Sequence, residues 1–247
     1  MPRQARIKSE SGIYHVMLRG INRQIIFEDE EDNLKFLETL QAYRLICGYE
    51  IYAYCLMGNH VHLLIREGKE SLELAFKRIA GSYVYWYNHK YYRIGHLFQD
   101  RYKSEPVDDE QYLLTVLRYI HQNPLKAGSV EKMDEYRYSS YNDYIKGSSL
   151  LVNTDFIFSI IGKENFVKFH DESSDDKCLD NDEVFRLSDN DAKKTIKEVS
   201  QCDNSSDFQK LEAYKKAEYI KVLRGKGLSI RQICRLTGES FGVVRKY

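Results

Sequence analysis

Residues 52–65, Tyr-Ala-Tyr-Cys-Leu-Met-Gly-Asn-His-Val-His-Leu-Leu-Ile, decide how the rest of the chain is read. They are apolar, aromatic and β-branched with no stripe at helical spacing, which predicts a central strand whose middle is opened by Gly58 and Asn59. His60 and His62 flank Val61, and strand alternation puts both imidazoles on one face, about 6.6 Å apart along the backbone. No charged side chain interrupts the stretch. Imidazoles set among such neighbours need a polar partner, which is either a hydrogen bond within the sheet or a metal ion shared between them.

The length, 247 residues, suits one large domain with a small appendage. There is no apolar run of ~18 residues and no leader-like start, so a membrane span and secretion are not expected. Five cysteines, odd in number and without a C-x-x-C pair, speak against a disulfide framework or a structural zinc site and for the reducing cytoplasm. The balance of 37 basic and 37 acidic residues hides a polarity along the chain. Residues 1–147 carry 20 of each, 148–212 carry 8 basic and 15 acidic, and 213–247 carry 9 basic and 2 acidic. A tail of that charge can neutralise phosphates, and the acidic stretch before it reads as a solvated linker. Many of the 20 tyrosines lie before residue 145, where they serve as core or stack on unpaired bases.

In order, Ile13–Leu18 is predicted as a short strand, followed by a turn-prone loop with Arg19 and Arg23. Asp32–Cys47 is predicted as a helix buried through Leu34, Leu37, Leu40, Tyr43 and Ile46 and stopped by Gly48. Ser71 starts a second helix with Leu72, Ala75, Ile79, Tyr83 and Trp86 inward. A loop from Arg93 to Lys103 interleaves Arg101 and Lys103 with Phe98 and Tyr102, a mixture suited to a single nucleic-acid strand or to docking its aromatics in the core. A strand at Ser104–Val107 leads to a third helix, Asp109–Asn123, which Pro124 is expected to end. Tyr119 and Asn123, four apart, share one face of it. An amide at a helix end is commonly a cap, yet a phenol and an amide presented together could also complete a metal site begun by two imidazoles. Residues 136–147 read as a closing segment, 153–170 as two small helices and 171–182 as a flexible linker. The tail reads as helix, Gly-containing turn, helix, with Ser229 and Ser240 as caps and Arg231 and Arg245 among its cations, the layout of a helix-turn-helix for a duplex groove.

Four ordered stretches then converge: Gly58-Asn-His-Val-His-Leu-Leu64, Gly95-His-Leu-Phe-Gln-Asp-Arg101, Arg118-Tyr-Ile-His-Gln-Asn-Pro-Leu-Lys-Ala-Gly128 and Tyr138-Ser-Ser-Tyr141. In order and spacing they resemble the REP-associated tyrosine transposases of the HUH single-strand transposase superfamily, over residues 5–147. The resemblance implies an α+β fold with an antiparallel sheet of ferredoxin-like HUH type flanked by helices. It implies His60 and His62 as ligands of a divalent metal, Mg2+ or Mn2+, Tyr119 as nucleophile, and Asn123 as a further metal-proximal ligand. Arg19, Arg23 and Arg101 would line the DNA strand, with Lys103 beside them. Departures are Gly58, where many members have Pro, and Gly128-Ser-Val130 in place of Gly-Leu-Val; neither touches a ligand.

The expected organisation is therefore 1–147 catalytic, 148–212 linker and 213–247 helix-turn-helix tail. The expected activity is metal-dependent nicking and strand transfer on single-stranded or hairpin DNA through a 5′-phosphotyrosine, by a monomer or homodimer whose tail reaches duplex DNA. The alternative is a regulator that keeps the fold without cutting. A tyrosine hydroxyl, with a reference pKa near ~10, needs a cation or base to attack at neutral pH.

Overall fold

The computed structural model describes residues 6–172, 178–179 and 189–247. The stretch 52–65 is not one strand but a hairpin, β2 (Glu50–Met57) and β3 (His60–Arg66), turning at Gly58-Asn59. A Gly-Asn pair between two apolar runs is a tight-turn signal, and it pairs Met57 with His60 and Cys55 with His62. β1 (Ile13–Arg19) lies antiparallel on the other side of β3, with Met17 opposite His62 and Arg19 opposite His60. A short β4 (Lys103–Pro106) pairs with β1, giving the order β2-β3-β1-β4 with every neighbour antiparallel.

With α1 (Glu30–Cys47) after β1 and α2 (Leu72–Lys90) after β3, this is the β-α-β-β-α-β arrangement of ferredoxin-like proteins. α1 starts at a capping box between Asp29 and Asp32, and α2 at Ser71, whose hydroxyl accepts from Leu74 N–H. At the far end of α2, Lys90 Nζ reaches Asp29 at 2.7 Å and the buried Asp32 at 2.9 Å, tying the two helices together. Phe36 stands edge-on to Tyr83 at 5.1 Å and to Phe27 at 5.5 Å, forming an aromatic core with the buried Leu18, Phe76 and Ile79.

Of the predicted stripe in α1 Leu40 is buried, alongside Asn33, Phe36 and Cys47, whereas Leu34 and Ile46 are exposed. Apolar residues lie on several sides of this helix, so spacing could not select the inward one, whereas packing against Tyr83 does. In α2 the inward position is Tyr87 rather than Trp86. α1 ends with Gly48 in the left-handed region at φ 74°, where a side chain is strained and a Cβ would meet Lys69 Cγ at 3.2 Å. Gly48→Ala is expected to lower stability by about 1 kcal/mol in urea unfolding followed by the fluorescence of Trp86, the only tryptophan.

The opposite face of the sheet, which carries His15, His60 and His62, is covered by α3 (Glu110–Lys126). Contrary to expectation, Pro124 does not end this helix. It removes one N–H from the last turn, but Ile120 through Pro124 are all buried, and the chain beyond still donates from Ala127 N to Asn123 O and from Ser129 N to Pro124 O. Residues 138–140 and 152–153 then cover the outer edge of β2: Leu56 N–H donates to Tyr138 O, Ser140 N–H to Tyr54 O and Asn153 N–H to Ile51 O. Between them α4 (Tyr141–Lys146) places the Tyr144 hydroxyl on Tyr52 O at 2.7 Å. α5 (Thr154–Ile161) and α6 (Phe166–Asp171) follow.

The chain divides into two compact units, Met1–Asp182 and Glu183–Tyr247. The stretch 148–212 is thus shared between them. α5 and α6 pack with β2 and α3, whereas α7 (Asp189–Ser200) and α8 (Ser205–Gln209) pack with α9 (Ala213–Gly225) and α10 (Ile230–Thr237). α11 (Phe241–Val244) completes the second unit, whose core holds Ile196, Phe208, Ile220, Leu223, Ile233 and Val244. Of the linker predicted at 171–182, residues 173–177 and 180–182 lie outside the described residues.

Candidate active site

The site begins with two histidines whose rings are held by different means. His60 Nδ1 lies 2.6 Å from Oδ1 of its neighbour Asn59, and the Asn59 amide donates to Arg23 O. His62 Nδ1 lies 3.0 Å from Nε2 of His15 on the adjoining strand. The His60 and His62 ring centroids are 4.9 Å apart and both residues are buried. Since an amide oxygen can only accept, His60 carries its proton on Nδ1, which makes Nε2 the atom that would meet a cation. Burial pushes His15 down to about 3, so it is neutral at physiological pH.

Tyr119 comes to this face from α3. Its ring stands edge-on to His62 at 5.5 Å and to His15 at 5.8 Å, and Lys126 Nζ lies 5.5 Å from the ring centroid. Asn123 follows one helical turn later and is buried, at 8% exposure. The fold thus gathers His60, His62 and Tyr119 within one chain, from a hairpin and a helix about sixty residues apart in sequence.

The donor set fits a divalent cation. Both imidazoles are held at Nδ1 on one face of a strand, an arrangement that suits ligation through Nε2. Among the described residues no three His, Cys, Asp or Glu side chains converge as a metal site. A cation at His60 and His62 would therefore complete its shell with an amide such as Asn123, with water or with substrate oxygens. This mixture of nitrogen and oxygen donors suits Mn2+ better than Mg2+.

Beside the site, a cleft of about 680 Å3 is lined by Arg6, Arg19, Arg101, Lys103 and Met17, among others. Arg19 ends β1 and Lys103 begins β4. Arg23 sits in the left-handed region at φ 58° and contributes its carbonyl to the Asn59 contact. The Arg101 guanidinium donates to Glu73 at 3.0 Å, an exposed pair that a phosphate could displace. Arg231 and Arg245 are exposed in the second unit.

Two residues were not legible as parts of this site. Arg6 lies over the Tyr102 ring at 3.8 Å, yet no motif surrounds it in the sequence. His15 was one histidine of a short strand; alternation gives its face, but its partner depends on a pairing 47 residues away.

The class follows from comparison. Residues 8–123, which include the sheet and most of the helix carrying Tyr119, match the family model described as Transposase IS200 like. A Haemophilus influenzae protein named as a REP-associated tyrosine transposase is 26% identical over 123 residues, 44% of this chain and 70% of its own length. The solved structure of a REP-associated tyrosine transposase bound to a REP hairpin aligns with a TM-score of 0.52 at 16% identity, covering 59% of this chain and 86% of that one. At that identity the likeness is one of fold. The REP-associated tyrosine transposases are thus the relatives that this chain's motifs resemble. No described helix is long and apolar enough to cross a membrane.

Proposed function

We propose that this chain nicks and rejoins single-stranded or hairpin DNA, with Tyr119 as nucleophile at a divalent cation held by His60 and His62. The observation that carries the reading is the Tyr119 ring edge-on to His62 within one chain, beside a cleft rich in arginine and lysine. The same contact favours use of Tyr119 in cis. In this reading the hydroxyl oxygen of Tyr119 attacks the scissile phosphorus, the bond to the 3′ oxygen breaks, and the products are a 5′-phosphotyrosine and a free 3′-hydroxyl. The bond count is conserved, so religation needs no nucleotide cofactor. When bound, Mg2+ or Mn2+ would supply charge stabilisation at the phosphate. Arg19, Lys103 and Arg101, once released from Glu73, would hold the flanking backbone.

The second unit adds a duplex-binding role to the proposal. Ser229 caps α10, the left-handed Gly238 ends it, and Ser240 caps α11. Taken as a helix-turn-helix, α10 and α11 leave Arg231 and Arg245 exposed to reach a groove.

The experiment uses hairpin DNA labelled at its 3′ end, because that fragment stays on the tyrosine. Incubation with Mn2+ or Mg2+ is expected to yield a slow band on a denaturing gel, absent with chelator, whose peptide carries the nucleotide on Tyr119. Duplex binding with no adduct under any metal condition would replace this reading with that of a regulator that binds without cutting.

A further inference from the structure

The hydrogen bond between the two strands assigns a task to His15. We infer that His15 is a positioning residue whose Nε2 accepts the Nδ1 proton of His62, fixing the tautomer and ring orientation in which His62 Nε2 faces the cation. The inference rests on the reading of His60 and His62 as metal ligands and goes beyond it, because His15 itself is not a ligand.

A neutral imidazole carries one N–H, so a nitrogen that binds a metal leaves the proton on the other. If His62 is to present Nε2, its proton must sit on Nδ1, and the atom facing Nδ1 at 3.0 Å is His15 Nε2. The reverse direction, His15 Nε2–H donating to His62, would put the His62 proton on Nε2 and close that nitrogen to a cation. Only a His15 protonated on Nδ1 makes the ligand competent. That Nδ1 is buried and, among the described residues, has no hydrogen-bond partner. Among the described residues the hydrogen bond of the His15 ring is directed at His62.

The two ligands are thus oriented differently. His60 takes its tautomer from the adjacent residue Asn59, within the turn of the hairpin. His62 takes it from β1, where His15 is opposite Leu64 and diagonal to His62. The His15 and His62 rings lie 5.2 Å apart at 35°, and Tyr119 stands edge-on to both. His15 therefore holds the ring on which the nucleophile rests as well as the proton that must stay off its metal-binding nitrogen.

The test is Mn2+ binding by the full chain without DNA, followed through the electron paramagnetic resonance of free Mn2+. His15→Leu removes the acceptor at similar volume and is expected to weaken Mn2+ about 10- to 100-fold. His15→Gln, whose Oε1 can accept where Nε2 stood, is expected to restore most of that loss. His62→Ala is the reference. If it abolishes binding while His15→Leu binds like the unaltered chain, the positioning role is wrong and the metal reading stands. If His62→Ala binds unchanged, the metal reading itself falls. A second measurement needs no variant: 15N–1H couplings of the imidazoles in the metal-free protein are expected to show His62 protonated on Nδ1. Protonation on Nε2 would overturn the inference even if His15→Leu failed to fold.

Discussion

Tyr119→Phe is expected to abolish the covalent DNA adduct, lowering its rate of formation by on the order of 10^4- to 10^6-fold, as removal of a nucleophile does elsewhere. The substitution deletes one oxygen and keeps the ring. Its edge contacts to His62 at 5.5 Å and His15 at 5.8 Å, and the Lys126 cation beside it, are contacts of the ring and survive. Folding and Mn2+ affinity are accordingly expected to match those of the unaltered chain, so the loss is one of chemistry and not of structure. The readouts are the 3′-labelled adduct, the far-ultraviolet circular dichroism spectrum and the Mn2+ titration on the same preparation. Persistent adduct formation in Tyr119→Phe would move the nucleophile to another residue and remove the central role given to α3.

Acid is expected to unfold the first unit, through histidines on the far side of that same helix. His121 Nδ1 lies 2.8 Å from His170 Nε2, and His121 Nε2 lies 2.8 Å from the Ser140 hydroxyl, which bridges to Tyr54 of β2. His170 Nδ1 donates to Phe166 O, and the Gln122 amide donates to His170 O. α6 is thereby joined to the residues directly after Tyr119. Burial pushes His170 down to about 4, and burial together with the neighbouring His170 holds His121 well below the ordinary histidine value. Both folded values lie below the unfolded one near 6.5, so the unfolded chain takes up protons first as the pH falls. The stability these residues contribute is fully present above about pH 6.5 and is lost below it, down to about 4 for His170. Each proton bound by the unfolded chain alone is worth up to about 1.4 kcal/mol per pH unit, so His170 is expected to cost about 1.5 kcal/mol from pH 6.5 to 5, and His121 adds to the loss in the same direction. Urea unfolding at pH 7, 6 and 5, read through Trp86, measures it. His170→Gln keeps an amide near His121 and is expected to lower the slope against pH by about one proton. Parallel slopes for the two proteins would show that His170 does not bind its proton differently on folding.

Parts of this architecture were legible in the chain because they are set locally. Ser71, Asp109, Ser229 and Ser240 announced helix starts, and Gly48 and Gly238 helix stops, through hydrogen bonds or backbone angles within a few residues. Other expectations differ from the structure. The reading of Gly58-Asn59 as an opening in one strand passes over a local tight-turn signal, and the pairing of β2 with β3 makes it a hairpin. The rule for the residue before proline predicts a stop at Asn123, because it takes no account of the burial of Ile120 through Pro124, which holds the helix on to Lys126. The inward side of α1 could not be selected among several apolar sides; the two small helices expected over 153–170 are present as α5 and α6, but the elements they pack against follow only from the tertiary structure.

The candidate site divides along the same line. That His60 and His62 share a face, and that Tyr119 and Asn123 lie one turn apart, was determined by the sequence itself, since backbone periods of two and about 3.6 residues act at short range. That the helix face meets the strand face, that His15 reaches His62 across two strands, and that His121 meets His170 was decided only by the tertiary structure. Those pairings close loops of roughly fifty residues, and their register is chosen by which apolar surfaces bury one another, a property of the whole fold that no local pattern contains.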